Sequence, residues 1–340
     1  MGKPTLLFRK ILGNMIEPLS SPLGIIKVKK GTKEIDVLRF CEANNYNDHF
    51  GFLWENYNQT YTDSVLGANV SLSRLEAVLG FPVEFLKGMN VLEVGCGAGR
   101  FTEHLVKYAK NVVAVDMSSA ITANSALEAS NLLPLQADLM NLPKFSEPID
   151  LLFSRGVVQY TPDPIKTLEK YFSYVRDGGL VIFDVYKKSG NEWRNVKYFW
   201  RPIVRRFIPA DSFHQFINKH DERLYKMHHI FVRFVRKIKP LYYILSRTPF
   251  YWSTDWDNAY PNLTHAQRVE IAKTEILDVL YPDYDNPMTT EEVIKALASF
   301  GQIPYSHDNY RNQFRCKKRP GNKPISVRIT KNGVLPIIEN

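Results

Sequence analysis

Apolar residues follow two patterns along this chain. Between positions 90 and 185 they gather in short runs: Val91, Leu92 and Val94; then Val112, Val113 and Val115; a run closing at Gln136; residues 149–154; and residues 178–184. Helical spacing intervenes, with Phe101, Leu105 and Tyr108 on one predicted face. Short apolar runs alternating with helices predict a mostly parallel sheet with crossover helices. Another helix is predicted over 72–79. The alternation resumes after position 289, with a helix opened by Thr289 and closed by Gly301. Strands near 303–307 and 313–316 then form an antiparallel hairpin. Residues 187–288 interrupt this order just after the fifth strand, at the carboxyl edge of the sheet, where ligands bind in such folds. The predicted divisions are an N-terminal cap over 1–65, a core over 66–186, a helical lid over 187–288, the last helix and hairpin over 289–319, and a loosely held tail over 320–340. Residues 1–40 offer only short β-like runs, so the cap is expected to be a small sheet or irregular.

The stretch from Asn90 to Leu105 sharpens this picture. A strand runs straight into Gly95, Gly97 and Gly99, whose missing Cβ atoms let the backbone bend and lie against a ligand. Asp116 closes the next strand, where a carboxylate can accept both hydroxyl protons of a ribose. A dinucleotide site expects G-x-G-x-x-G beneath a pyrophosphate. Here the spacing is G-x-G-x-G, and Glu93 stands two residues before the first glycine. An acid there repels a pyrophosphate and suits a ligand carrying an ammonium and a sulfonium. The plainer alternatives are a bare strand-to-helix turn, or a Glu93 that merely pairs with a lysine. Cys96 has no adjacent base in the sequence and reads as a small turn filler rather than a nucleophile.

Glu93, the three glycines and Asp116 together resemble the first two motifs of class I S-adenosylmethionine-dependent methyltransferases. The resemblance continues through residues 136–143, where Asp138 matches an acid that binds the adenine amino group. It extends through 149–164, the fourth strand and its following loop, and 178–184, the fifth strand. It implies a Rossmann-like α/β fold with a mostly parallel seven-stranded sheet and an antiparallel last strand. It implies S-adenosyl-L-methionine as cofactor, oriented by Glu93, Gly95, Cys96, Gly97, Gly99, Asp116, Met117, Asp138, Leu139 and Ser154. Residues 45–63, including Trp54 and Tyr57, and residues 276–292 resemble segments of bacterial saccharide and cell-surface glycan methyltransferases. A mobile aromatic segment ahead of the core would fold over the cofactor and exclude water. Some relatives carry a cysteine-ligated zinc ribbon before the core; this chain lacks the cysteines for one, so no metal is expected.

Composition adds a compartment and a charge. The chain has 340 residues, 44% of them hydrophobic and 23% charged, as in water-soluble globular proteins. Cys41, Cys96 and Cys316 are scattered and odd in number, giving neither a disulfide framework nor a zinc site. The first residues are interrupted by Arg9 and Lys10 and lack a cleavage site, so they do not read as a signal peptide. A cytoplasmic enzyme is expected. The formal charge of +9 is concentrated between Lys187 and Arg247, where fifteen lysines and arginines face four acids (Glu192, Asp211, Asp221 and Glu222). Interleaved with aromatics, this basic lid suits an anionic or lipid-linked substrate, the inner face of a membrane, or RNA. The alternative is a set of amphipathic helices whose charges are only solvated.

Methyl transfer from a sulfonium needs orientation and, for a hydroxyl acceptor, a proton acceptor. In several relatives the loop after the fourth strand carries histidines; here Gln159 and Tyr160 stand in those places. A phenol with an ordinary pKa of about 10 is a poor base at neutrality. Asp255 and Asp257 are further candidates, as are His214, His220, His228 and His229. The two acids Asp255-x-Asp257 alone are weak support for a divalent metal. O-methylation of a saccharide or glycan-type acceptor is the leading expectation. An RNA methyltransferase is the second, although no RNA-binding module is recognisable. A cofactor-binding partner or scaffold without catalysis is the third, kept open by the altered Gln159–Tyr160 loop.

Overall fold

A computed structural model describes residues 22–42, 51, 62–67, 69–188, 196–235, 237–240, 263–330 and 333–336. The five predicted parallel strands are β3 (Asn90–Val94), β4 (Asn111–Asp116), β5 (Leu132–Gln136), β6 (Ile149–Ser154) and β7 (Val175–Asp184). Every residue of β3 and β5 is buried, which explains their unbroken apolar runs: a parallel sheet is covered on both faces. The predicted hairpin is β8 (Pro304–Asp308) with β9 (Gln313–Lys317), and β9 runs antiparallel to β7. These seven strands lie in the order β5-β4-β3-β6-β7-β9-β8.

The sheet is larger than seven strands. β1 (Gly24–Lys30) and β2 (Lys33–Arg39) form a hairpin, and β2 pairs parallel with β5 through Leu38↔Leu135 and Arg39↔Gln136. Nine strands result. The runs expected to form a separate cap are therefore part of the sheet over these residues. Asp36, Val37 and Leu38 are buried where β2 covers the otherwise open edge of β5.

One face of the sheet is covered by α2 (Val70–Leu79) and α3 (Thr102–Tyr108), whose Leu75, Leu79 and Leu105 pack with Val91, Val112 and Phe153. A four-residue helix, α1 (Asp63–Leu66), precedes them. The other face is covered by α4 (Pro164–Tyr174) and α8 (Thr290–Ser299), with Tyr171, Phe172 and Phe300 in one cluster. Local chemistry fixes where these helices begin. Asp163 accepts from the backbone N–H groups of Ile165 and Lys166 ahead of Pro164, and Thr289 with Glu292 forms a reciprocal capping box.

The lid region contains α5 (Val196–Phe207), α6 (Ala210–Val235) and α7 (His265–Leu280), with an apolar cluster of its own around Phe213, Ile217, Leu277 and Tyr281. No helix among the described residues is long and apolar enough to cross a membrane. The tail departs from expectation: β10 (Val327–Thr330) and β11 (Gly333–Pro336) form a second hairpin. It is tied back by Ile325 N–H donating to Ala298 O at 2.9 Å and by Val327 packing on the core. A low apolar density in the sequence concealed those few anchoring contacts.

Candidate functional site

The glycine turn is stapled to the next strand. Gly95 N and Cys96 N both donate to Val115 O, at 2.8 and 3.1 Å. Gly95, Gly97 and Gly99 all have positive φ, at 74°, 50° and 90°. A Cβ on Gly95 would lie 2.1 Å from Val157 Cγ2, and one on Gly99 would lie 2.4 Å from Asn124 Oδ1. Both conformation and space thus demand glycine at these two positions. Cys96 is buried, and burial holds its thiol well above the ordinary range, consistent with a filler.

Three acids stand in a row at the carboxyl ends of β3, β4 and beyond β5. Glu93 is buried and accepts from Thr102 Oγ1 at 2.6 Å, and Thr102 in turn accepts from Asn124 Nδ2 at 3.0 Å. Burial pushes the Glu93 carboxyl up to about 8, against the pull of the Thr102 bond. Asp116 is the hub of the turn: Oδ2 accepts from Gly97 N at 2.9 Å, and Oδ1 from Ser118 N and Oγ at 2.9 and 2.6 Å. Three bonds leave one of roughly four acceptor sites on that carboxylate. Burial raises its pKa while the Ser118 and Gly97 bonds pull it down. Asp138 accepts from Met140 N at 2.9 Å and so fixes the turn carrying Leu139. Met117 O receives Gln136 Nε2 at 3.3 Å and Cys41 Sγ at 3.7 Å.

The loop after β6 is arranged differently from a row of open catalytic groups. Ser154 is buried and its hydroxyl shares a 2.7 Å hydrogen bond with Tyr171. Gln159 is fully buried; its Oε1 accepts from Tyr186 N at 3.2 Å and its backbone O from Asn286 N at 2.7 Å. It thus joins the loop to both ends of the lid. Tyr160 is half-buried and meets Tyr186 edge-to-face at 5.5 Å, at the lid's root. Asn286 Nδ2 also donates to Thr161 O at 2.9 Å, and Met288 N to Tyr186 O at 2.9 Å. Among the lid histidines, His214 bonds Asn218 within α6 and His220 lies against Phe216. Trp54, Tyr57, Asp255 and Asp257 lie outside the described residues, as do the side chains of His228 and His229.

Two further arrangements escaped the sequence reading. Asp184, ending β7, accepts from Gly156 N at 2.6 Å and lies 3.4 Å from Arg155 Nε. It thereby holds the loop after β6 in its positive-φ bend at Gly156. Burial raises the Asp184 carboxyl, with Arg155 opposing. The second is a buried cluster of Asp63, Glu103 and His104 beside the glycine turn. Asp63 accepts from Ser71 N and Leu72 N, both at 2.9 Å, capping α2 from outside that helix. His104 Nε2 lies 3.1 Å from Asp63 Oδ2, and Asp63 N donates to Glu103 Oε1 at 2.7 Å. Burial pushes Glu103 up, but bonds from His104, Ser64 and Asp63 outweigh it and hold the carboxyl low. The ligand-like spacing of this cluster is taken up by backbone donors, so it works as a latch between the pre-core segment and the first turn of α3. Two adjacent polar residues immediately after the glycine turn were its only trace in the sequence. Lid residues Leu263 and Ile271 pack on Leu66 and Val70, carrying the connection from lid through latch to turn.

A parallel sheet in this strand order, a glycine turn after its first central strand, and acids at successive strand ends are the features of a Rossmann-like α/β fold. Residues 72–224, just under half of the chain, match the family model described as a methyltransferase domain. Among curated proteins it is similar to the malonyl-[acyl-carrier protein] O-methyltransferase of Hamiltonella defensa subsp. Acyrthosiphon pisum, at 25% identity over 144 residues, 41% of this chain and 55% of that protein. It is also similar to the ubiquinone biosynthesis O-methyltransferase of Coxiella burnetii, at 29% identity over 123 residues, 35% of this chain and 50% of that protein. The chain thus spans about half the length of these relatives. Among solved structures, a DhpI–SAM–HEP complex shares 26% identity, 43% of this chain and 67% of that one, at a TM-score of 0.34. Phosphoethanolamine N-methyltransferase 1 of Haemonchus contortus, solved with phosphoethanolamine and S-adenosylhomocysteine, shares 23% identity, 42% of this chain and 33% of that one, at 0.33.

Proposed function

We propose that the protein transfers the methyl group of S-adenosylmethionine to a hydroxyl of a saccharide or glycan-type acceptor, anionic or lipid-linked, in the cytoplasm or at the inner face of the membrane. The observation that carries the cofactor side is the row Glu93, Asp116 and Asp138 around a turn that admits only glycine at positions 95 and 99. Bound there, S-adenosylmethionine supplies a methyl group activated by its sulfonium charge. Glu93 would hold its ammonium end, Asp116 one ribose hydroxyl through its remaining acceptor site and Asp138 its adenine amino group. Both named curated relatives are O-methyltransferases, which supports oxygen as the accepting atom. The saccharide class rests on the resemblance of residues 45–63 and 276–292 to glycan methyltransferases.

In this reading the chain's own contribution is mostly positional. Gln159 and Asn286 set the distance between the loop after β6 and the two ends of the lid, and Tyr160 at that junction orients the acceptor hydroxyl. The basic lid gathers an anionic acceptor. The test is incubation of the protein with methyl-labelled S-adenosylmethionine and a panel of anionic saccharides, RNA and carboxylic acids. Label in a base-stable methyl ether of a saccharide is expected. Label in RNA or in a base-labile ester would overturn the acceptor class. Tight cofactor binding with no transfer to any acceptor would favour a binding partner without catalysis.

A further inference from the structure

The helix α6 presents two apolar sides, of which one is buried among the described residues. Phe213, Ile217 and Tyr225 face α7 and are buried in the lid's own cluster. Phe216, Met227, Ile230 and Phe234 follow at intervals of eleven, three and four residues. At 100° per residue these four fall within an arc of about 60°, beside the buried side rather than on it. They become more exposed along the helix, at 45%, 67%, 70% and 74%. A single exposed apolar side chain is ordinary; four aligned over nineteen residues form a surface.

Charge is sorted around the same helix. Lys219, Arg223 and Lys226 project beside or within the exposed stripe, and all three are exposed. Asp221 lies on the buried side, where it pairs with Lys273 of α7 at 3.0 Å, and Glu222 lies beyond Lys226, 2.9 Å from His265 Nε2 of α7. Lys226 also lies 3.7 Å from Glu222. Both acids thus have partners on α7, and Lys219 and Arg223 give the stripe a positive border. At the turn into α6, Phe207 is 74% exposed beside the exposed Arg206.

We infer that α6 lies flat on an anionic lipid bilayer, with Phe216, Met227, Ile230 and Phe234 entering the headgroup boundary and Lys219 and Arg223 meeting lipid phosphates. A long helix with an apolar stripe bordered by lysine and arginine has the physical form of an interfacial helix. A second copy of the chain is a poorer occupant: a two-fold contact through this stripe sets its cations against themselves. RNA is poorer too, because single strands bind on aromatic platforms and this stripe is half aliphatic. The inference goes beyond methyl transfer and does not depend on it.

The test is flotation of the full-length protein with phosphatidylcholine vesicles, with and without phosphatidylglycerol, across a range of salt. Binding only to the anionic vesicles, weakened by salt, is expected. Ile230→Glu with Phe234→Glu should weaken it by at least about tenfold, and Lys219→Gln with Arg223→Gln should weaken it less while flattening its salt dependence. Both double variants should bind S-adenosylmethionine as the parent does, since these side chains are exposed. No vesicle binding by the parent, or binding that neither pair alters, would overturn the inference. So would self-association that the Glu pair abolishes, which would assign the stripe to a second copy, or RNA retention lost with the Gln pair. Failure of cofactor binding with vesicle binding intact would instead count against the methyltransferase reading alone.

Discussion

Phe183 and Phe314 in the sheet and Tyr171 of α4 packed on it are shut from water, with the Phe183 and Phe314 rings stacked 5.3 Å apart. Phe207, Ile230 and Phe234 in the lid are at least 70% exposed. The same residue types serve opposite ends in the two regions. In the floor they supply the burial that holds the strand ends rigid, and the polar groups above them are satisfied by short, mostly backbone donors. In the lid, α6 buries Phe213, Ile217 and Tyr225 on one side, and the root is tied by polar contacts such as the 2.9 Å Arg201–Asp285 pair. The floor is therefore a rigid frame, whereas α6 in the lid leaves an apolar side exposed.

Large-to-small changes should separate the two regions most widely. Phe314→Ala is expected to cost about 3–5 kcal/mol of stability, and Phe234→Ala no more than about 0.5 kcal/mol, by denaturant titration. Equal losses would dissolve the contrast. The latch comes next. Asp63→Ala leaves the Ser71 and Leu72 N–H groups and His104 without this acceptor, and should cost about 2–3 kcal/mol. It should also raise protease cleavage around residues 62–67 relative to the core, because α1 loses its tie to α3.

Glu93 gives a smaller, pH-dependent effect. Its carboxyl is raised in the folded protein, to about 8. The folded state therefore keeps a proton that the unfolded chain releases above its ordinary value of 4.5. The stability associated with this group is fully present below 4.5 and is lost as pH rises to about 8, at no more than about 1.4 kcal/mol per pH unit. Glu93→Gln should flatten that slope in thermal scans between pH 5 and 8, as should saturation with the cationic cofactor. An unchanged slope in the variant would place the titration elsewhere. The smallest effect expected is that of Arg205→Gln, which breaks a half-exposed pair with Asp283 and should cost at most about 1 kcal/mol. A larger loss would mean that the lid root is a buried hinge rather than a surface tie.

The floor was largely legible because its strands are continuous apolar runs and its turn needs glycine for a local reason. The spacing of Glu93, Asp116 and Asp138 carries the same information in sequence as in space, since each closes or follows a neighbouring strand. What stayed hidden depends on distant partners. Asp63, Glu103 and His104 read as surface polar residues until α1, α2 and α3 meet. Gln159 sits in the loop after β6, yet its side chain turns inward to accept from Tyr186 N, which no local pattern foretells. The edge position of β1 and β2 was invisible for a related reason: a short alternating hairpin does not name the strand it joins.

The most direct test of the central claim is calorimetric titration of S-adenosylmethionine and S-adenosylhomocysteine into the wild-type protein and Asp116→Ala. Micromolar binding by the wild type, lost or weakened by at least about tenfold in a variant that remains folded, is the predicted result. No binding by the folded wild type, or equal binding by both proteins, would contradict the assignment of this turn as the cofactor site.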